Sequence, residues 1–307
     1  MRIAFINTLI ELAEKDKQIF LLTGDLGFSL LERFQEKFPD RYFDVGVAEA
    51  NMIGVAAGLA LSGKTVFVYS IAPFATMRCF EQIRNDLCYQ NLNVKIIGVG
   101  GGLHYGSAGP THHSIVDISI MRSLPNMTVI CPGDPIEAEL ATRFSASYKT
   151  PIYIRLGKSN EPKVHLNTPD FAIGKGITIK KGDDVTLIAT GNLLYNAKCV
   201  SENLTNNGID VRLISMHTIK PLDKKIILKA ANETKAIFTL EEHSIVGGLG
   251  SAVAEVLAEE DVKEIFFKRI SLPDAFCLDI GDHEYLRKKN SLSVEQIANT
   301  ILKCYKT

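Results

Sequence analysis

The sequence predicts an α/β protein of two domains, each a mostly parallel sheet covered by helices. Three observations carry this. Helix-like and strand-like segments alternate strictly through the first half. The strand-like segments are continuous Val/Ile runs, as in KTVFVYS and NVKIIGVGGG, the pattern of strands buried on both faces in parallel sheets. After a polar, proline-bearing stretch, a second alternating set begins. A chain of 307 residues is long enough for two domains, each burying its own core.

Apolar residues recur at helical spacing over residues 4–12, and IFLLTGD (19–25) reads as a strand. A polar helix through Phe34 and Phe38 ends at Pro39-Asp40. YFDVGV (42–47) is a short strand. AEANMIGVAAGLALSG (48–63) is a helix of small side chains, which predicts that another backbone packs very close to it. KTVFVYS is a strand, PFATMRCFEQIRNDLCYQ a single helix starting at Pro73, and NVKIIGVGGG a buried strand running into a glycine-rich loop. HSIVDISIMRSL (helix), MTVICPGD (strand), PIEAELATRFSASY (helix) and TPIYIRL (strand) follow. Residues 158–176 hold prolines and polar residues without a period. The expected division is a first domain over 1–165, a linker over 166–178 and a second domain over 179–307. The second set comprises DDVTLIATG, a helix near 194–204, VRLISMHTIKPLD, AIFTLEEH, the helix GGLGSAVAEVLAEE and the strand EIFFKRI.

Composition narrows the function. Hydrophobic residues at 46% and charged residues at 22% exclude a disordered chain, a collagen and a coiled coil. A net charge of −1 gives no basic field for nucleic acid. Six dispersed cysteines without a CxxC read as free thiols in a reducing, cytoplasmic compartment, and no zinc or other metal ligand set is expected on this chain. The opening MRIAFINTLIELAEKDKQ carries charges within it and is not a signal peptide. No apolar run approaches a membrane span.

GxxxxGK[ST], HExxH and GxSxG signatures are missing. GGLGSAV near Gly247 lacks dinucleotide spacing and reads as a tight loop leading into a helix. Two features remain. Glu49 is a lone carboxylate at the start of the small-residue helix. One reading is an acid favoured by the positive helix end; the other is a buried carboxylate that holds or moves a proton. The loop GGGLHYGSAGPTHHS (100–114) places His104, His112 and His113 among glycines at the end of a predicted strand, where open α/β sheets bind ligands.

DVGVAEANMIGVAAGLALSGKTVFVYS, GPTHHSIVDISIMRSLPNMTVICPGD and IKPLD…TLEEHSIVGGLGSAVAEVLAE together resemble the C-terminal half of the transketolase family, across essentially the whole chain. The resemblance implies thiamine diphosphate bound between two α/β domains. The domain with the family's GDG…N motif, which holds the diphosphate and Mg²⁺, is not in this sequence. The resemblance therefore implies the second subunit of a split transketolase, working with a GDG…N subunit as an α2β2 heterotetramer on small sugar substrates, with neither nucleic acid nor membrane as partner.

By position, Glu49 matches the family's activating glutamate, which hydrogen-bonds N1′ of the aminopyrimidine so that the exocyclic nitrogen can take the C2 proton. Phe74 matches the aromatic residue that stacks on that ring. Ile71 and Met77 stand where two more aromatics are usual, and Asp25 matches an aspartate near the thiazolium. His112 matches a histidine beside the reacting carbon. Arg2, Ser29 and Lys158 match sugar-phosphate contacts, with Lys158 in place of the usual arginine. Two departures stand out. Ala108 replaces an aspartate that recognises a donor hydroxyl, and Gly100 replaces a channel histidine, whose space His104 or Tyr105 is placed to fill. The implied activity is two-carbon ketol transfer between sugars. The alternatives are a β-type subunit of a 2-oxo-acid dehydrogenase or a deoxyxylulose-phosphate-synthase-like carboligase with a pyruvate-like donor, and a non-catalytic scaffold.

Overall fold

The structure, a computed structural model, describes residues 1–305, so the last two residues of the expected second domain lie outside the described residues. Its strands are β1 (Ile19–Thr23), β2 (Tyr42–Asp44), β3 (Thr65–Ile71), β4 (Val94–Val99), β5 (Thr128–Ile130), β6 (Ile152–Leu156), β7 (Ile177–Lys180), β8 (Val185–Ala189), β9 (Val211–Ser215), β10 (Thr218–Lys220), β11 (Ala236–Ser244) and β12 (Phe266–Leu272). They form a seven-stranded sheet, β10-β5-β6-β4-β3-β1-β2, and a five-stranded sheet, β12-β11-β8-β9-β7. All pairings are parallel except β10 on β5 and β7 on β9. Every residue of β3, β4, β6, β8, β9 and β11 is buried, as continuous apolar runs require.

One face of the large sheet is covered by helices Arg2–Lys15 and Pro135–Ser147, with Phe5, Leu9, Phe34, Phe67 and Ala141 in the packing. Asp134 caps the second of these, accepting from the Glu137 N–H. The other face packs Met52, Ile53 and Ala56 of helix Glu49–Leu61 against Val66 and Val68, and this apolar cluster continues into Ile188 and Ile214 of the smaller sheet and Val253 of helix Leu249–Glu259. Adjacent parallel strands β1, β3 and β4 bring the loops at their C-terminal ends to one edge, which is where the candidate site forms.

Several expectations change. β7 begins inside the segment 166–178 read as a linker, and β10, from the second half of the sequence, completes the first sheet. The helix expected over 73–90 is three pieces: Ala72–Thr76, Phe80–Gln82 and a π-helical Ile83–Tyr89. Its buried residues Ala75, Cys79, Ile83 and Leu87 are spaced by four, so apolar periodicity does not reveal the wider turn. Helices Lys224–Glu233, His283–Lys289 and Val294–Tyr305 are additions to the expected elements. Among the described residues, the small-residue helix does not meet a close backbone. Asn51, Gly54, Val55 and Gly58 are exposed, and nothing lies within 4 Å of where a Cβ on Gly54 or Gly58 would stand. No helix among the described residues is long and apolar enough to cross a membrane.

Candidate active site

Glu49 opens its helix, and its side chain is 2% exposed. One carboxylate oxygen accepts from Ser70 Oγ at 2.9 Å, the other from Arg78 Nη1 at 2.7 Å. The same guanidinium lies 4.2 Å over the ring of Phe74. Gly24, in the turn after β1, lies beside the carboxylate: a Cβ there would stand in ordinary contact, 3.5 Å from Glu49 Oε1. Glu49 thus stands at the helix start and is buried, the position from which both readings begin.

The half-buried Phe74 ring meets the ring of His112 edge-on, with centroids 5.1 Å apart, and His112 Nδ1 lies 3.0 Å from Thr111 Oγ1. Beyond His112 is Tyr105, at 6.2 Å between centroids, and Lys158 Nζ lies 4.4 Å over the Tyr105 ring. Burial raises the Tyr105 hydroxyl above its ordinary pKa, and the nearby charge of Arg2 pulls the other way. The residues thus form a line from Glu49 and Phe74 through His112 to Tyr105, with Arg2 and Lys158 at its far end. Ile71 is buried at the end of β3, and Met77 is exposed. Asp25 and Ser29 sit in the loop after β1, both with left-handed backbone (φ 54° and 61°), their N–H groups donating to Asp44 and Glu32 at 2.9 and 2.8 Å.

The glycine run predicts room for a ligand, but the chain's own side chains use the room. A Cβ on Gly100 would stand 2.1 Å from the Tyr105 ring, one on Gly101 2.6 Å from Arg155 Nε, and one on Gly102 2.3 Å from Glu242 Oε1. Tyr105, not His104, fills the space beside Gly100. The three histidines do not converge either. His113 is buried under the loop, and His104 turns toward the second domain, its ring centroid 3.9 Å from that of His283. Burial and the neighbouring His283 push His104 down to about 4, so it is neutral at pH 7.

His104, Glu242 and His283 bring atoms of metal-ligating type within 4.8 Å of one another, a juxtaposition the sequence does not suggest. Glu242, however, already accepts from Arg287 Nε at 2.6 Å, the Leu103 N–H at 2.6 Å and His283 Nε2 at 2.7 Å. Burial works to raise its carboxyl, and the charges of Arg287 and His283 outweigh that and hold it well below the usual range. The guanidinium, not an ion, neutralises this carboxylate.

Comparison with known proteins bears directly on these loops. The family description "Transketolase, pyrimidine binding domain" matches residues 1–163, and "Transketolase, C-terminal domain" matches 174–297. The chain belongs to the transketolase family. It is a transferase of the transketolase type. It is 39% identical to an apulose-4-phosphate transketolase subunit of Phocaeicola vulgatus, over 99% of this chain and 97% of that one. It is 34% identical to 1-deoxy-D-xylulose-5-phosphate synthase of Desulforudis audaxviator, over 96% of this chain and 47% of the relative. A solved structure described as a split gene transketolase, inactive beta4 tetramer, superposes with a TM-score of 0.90 at 38% identity, covering 99% of this chain and 98% of that one.

Transketolases work with thiamine diphosphate, and the residues at Glu49 suit its aminopyrimidine. A buried carboxylate and an aromatic face here already hold a flat N–H donor between them, the Arg78 guanidinium. The Arg78 side chain is 42% exposed and has solvent to move into. Sequence reasoning misses Arg78 and Ser70. Arg78 has a readable signal, its place four residues after Phe74 in a helix-like stretch. Ser70 has none. The Glu242 network carries a signal too: two glutamates and a histidine ending an otherwise apolar strand.

Proposed function

We propose that this chain is one subunit of a two-subunit transketolase that moves a two-carbon ketol unit between sugars, at least one of them phosphorylated. The observation that carries the reading is the buried Glu49 carboxylate facing Phe74 with a planar N–H donor between them. The names of a relative and of a solved structure support it, one a transketolase subunit acting on a sugar phosphate, the other a split-gene transketolase whose beta chains alone are described as inactive. The partner is an N-terminal subunit with a GDG…N motif, supplying the oxygen ligands for Mg²⁺ and the diphosphate. Two copies of each subunit fit the two-fold symmetry usual in such assemblies. A reducing cytoplasm suits the six free cysteines.

Thiamine diphosphate, when bound, supplies an acidic carbon that becomes a nucleophile toward carbonyl groups. Glu49 holds and shares the proton at N1′ of the aminopyrimidine, with Ser70 fixing its other oxygen. Phe74 stacks on that ring, flanked by Ile71 and Met77, and Asp25 lies toward the thiazolium. His112 donates to the substrate oxygen on which charge develops. Arg2, Ser29 and Lys158 hold the substrate's anionic group. His104 stands apart from this line, against His283.

Deuterium exchange at C2 of thiamine diphosphate, followed in the complex reconstituted with the partner and Mg²⁺, tests this reading. Exchange accelerated by the complex and slowed in Glu49→Gln supports it; no acceleration overturns it. A second reading, a pyruvate-like donor, is favoured by Ala108, which stands exposed on the turn Gly106–Ala108 and offers no side-chain acceptor. Release of CO₂ from pyruvate, with no turnover of ketose phosphates, would select it.

A further inference from the structure

Two departures from the family pattern, Gly100 in place of a histidine and Lys158 in place of an arginine, meet at one side chain, Tyr105. The loops that carry them follow β4 and β6, which pair in parallel, so both open at the same sheet edge. Gly100 has a left-handed backbone (φ 75°), and its missing side chain lets the Tyr105 ring lie against it, where a Cβ would stand 2.1 Å from that ring. Lys158 Nζ stands 4.4 Å over the same ring. A side chain at position 100 would displace the ring from under the ammonium.

An ammonium is a compact charge on a flexible stem, whereas a guanidinium offers parallel donors in a fixed plane. A lysine in place of an arginine therefore lacks both a fixed position and a second donor. Tyr105 offers both. Its ring face attracts the ammonium, and its hydroxyl has no hydrogen-bond partner among the described residues. Tyr105 is only half-buried, so the side chain is open to a ligand. Burial raises the hydroxyl's pKa, which keeps it a donor at neutral pH, and Arg2 lies near enough for its charge to act on it. Among the described residues, neither Lys158 nor Arg2 pairs with a carboxylate. Two cations without counter-ions and one phenol without a partner thus gather at the far end of the line from Glu49.

We propose that Tyr105 is a binding and positioning residue for the phosphate end of the sugar substrate. Its ring holds the Lys158 ammonium in place, and its hydroxyl donates to a phosphate oxygen beside Lys158 and Arg2. Tyrosine and lysine together supply what an arginine supplies alone. This rests on the transketolase reading for the phosphate itself, but its test reads binding to this chain alone.

The test is titration of the full chain with D-ribose 5-phosphate and with inorganic phosphate, followed by phosphorus NMR. Tyr105→Phe keeps the ring and loses the donor, and should weaken both ligands about tenfold, the scale of a hydrogen bond to a charged group. Tyr105→Leu removes the ring as well and should cost a further factor of about two to five; thermal melts check that it folds. The deciding measurement repeats Tyr105→Phe beside Lys158→Arg. The guanidinium brings its own second donor, so the loss should then fall below about threefold. A merely structural tyrosine would cost the same in both backgrounds, and that result overturns the proposal. Wild-type affinity in Tyr105→Phe overturns it too, as does absence of binding to the wild type. A loss for ribose 5-phosphate without one for inorganic phosphate would put the hydroxyl on the sugar and overturn the anion assignment. Failure of C2 exchange in the reconstituted complex would remove the transketolase reading and leave these affinities standing, whereas intact exchange with unchanged affinities removes Tyr105 alone.

Discussion

Glu49 is a buried carboxylate with two side-chain donors, and the role proposed for it depends on sharing a proton, which an amide cannot do. Glu49→Gln keeps volume and hydrogen bonding, so assembly should persist while turnover falls about a thousandfold, on the order of 4 kcal/mol in the barrier. The C2 exchange rate of the reconstituted complex checks this; exchange at the wild-type rate would remove Glu49 from the role. At Ala108 the expected change is a gain. An introduced carboxylate accepts from a donor hydroxyl, so Ala108→Asp should raise kcat/KM for a ketose phosphate of the usual stereochemistry by up to about 1.5–3 kcal/mol. Strong discrimination by the wild type between donors epimeric at that hydroxyl would show that another group, with Tyr105 close by, already recognises it.

At the scale of elements, helix Glu49–Leu61 presents an exposed face of Asn51, Gly54, Val55 and Gly58, which the proposed function gives to the partner subunit. Gly58 has no neighbour within 4 Å of a Cβ position and an ordinary helical backbone. Gly58→Leu should therefore leave the single chain as stable or more so, by up to about 1 kcal/mol from helix propensity, and prevent assembly with the partner. Thermal melts beside light scattering of the mixed subunits separate the two effects. The loop after β4 is tied from the other side. Asp117 accepts from Tyr153 at 2.6 Å and Arg155 at 2.7 Å, and Arg155 also donates to the Ser114 and Glu242 carbonyls, joining the loop to both domains. Burial works to raise the Asp117 carboxyl, but the Arg155 guanidinium outweighs it and holds the group below its ordinary range. A lowered folded pKa contributes stability that is complete above the unfolded value of about 4 and lost as pH falls through the folded one. Asp117→Asn leaves Arg155 buried without its counter-charge and should cost about 3–5 kcal/mol at pH 7. The deficit should shrink as pH drops below about 4, which urea midpoints from pH 7 to 3 would show.

For the whole molecule, the expectation is dependence on a second chain. The purified chain should show no transferase activity and bind thiamine diphosphate weakly with Mg²⁺, because the family's GDG…N motif is missing from this sequence. Adding the partner should restore both. Full activity from the single chain, measured by ketose consumption, would refute this. The two domains should also melt as one unit, since β10 completes the first sheet and a single apolar cluster runs through both sheets.

Sequence alone determined the parallel sheets, because strands buried on both faces read as near-continuous apolar runs. It also singled out Glu49, a charge where small apolar residues surround it, and His112 and Phe74, through motifs that keep their order along the chain. Tertiary structure decided what lies across space. Ser70 and Arg78 reach Glu49 from beyond its own helix, and β10 crosses from the second half to the first sheet, a pairing that local periodicity does not encode. The three glycines at 100–102 make the difference plain. A sequence shows that room is needed there, but whether a ligand or the side chains of Tyr105, Arg155 and Glu242 take it depends on residues as distant along the chain as Glu242. Only the packed chain fixes which atoms fill that room.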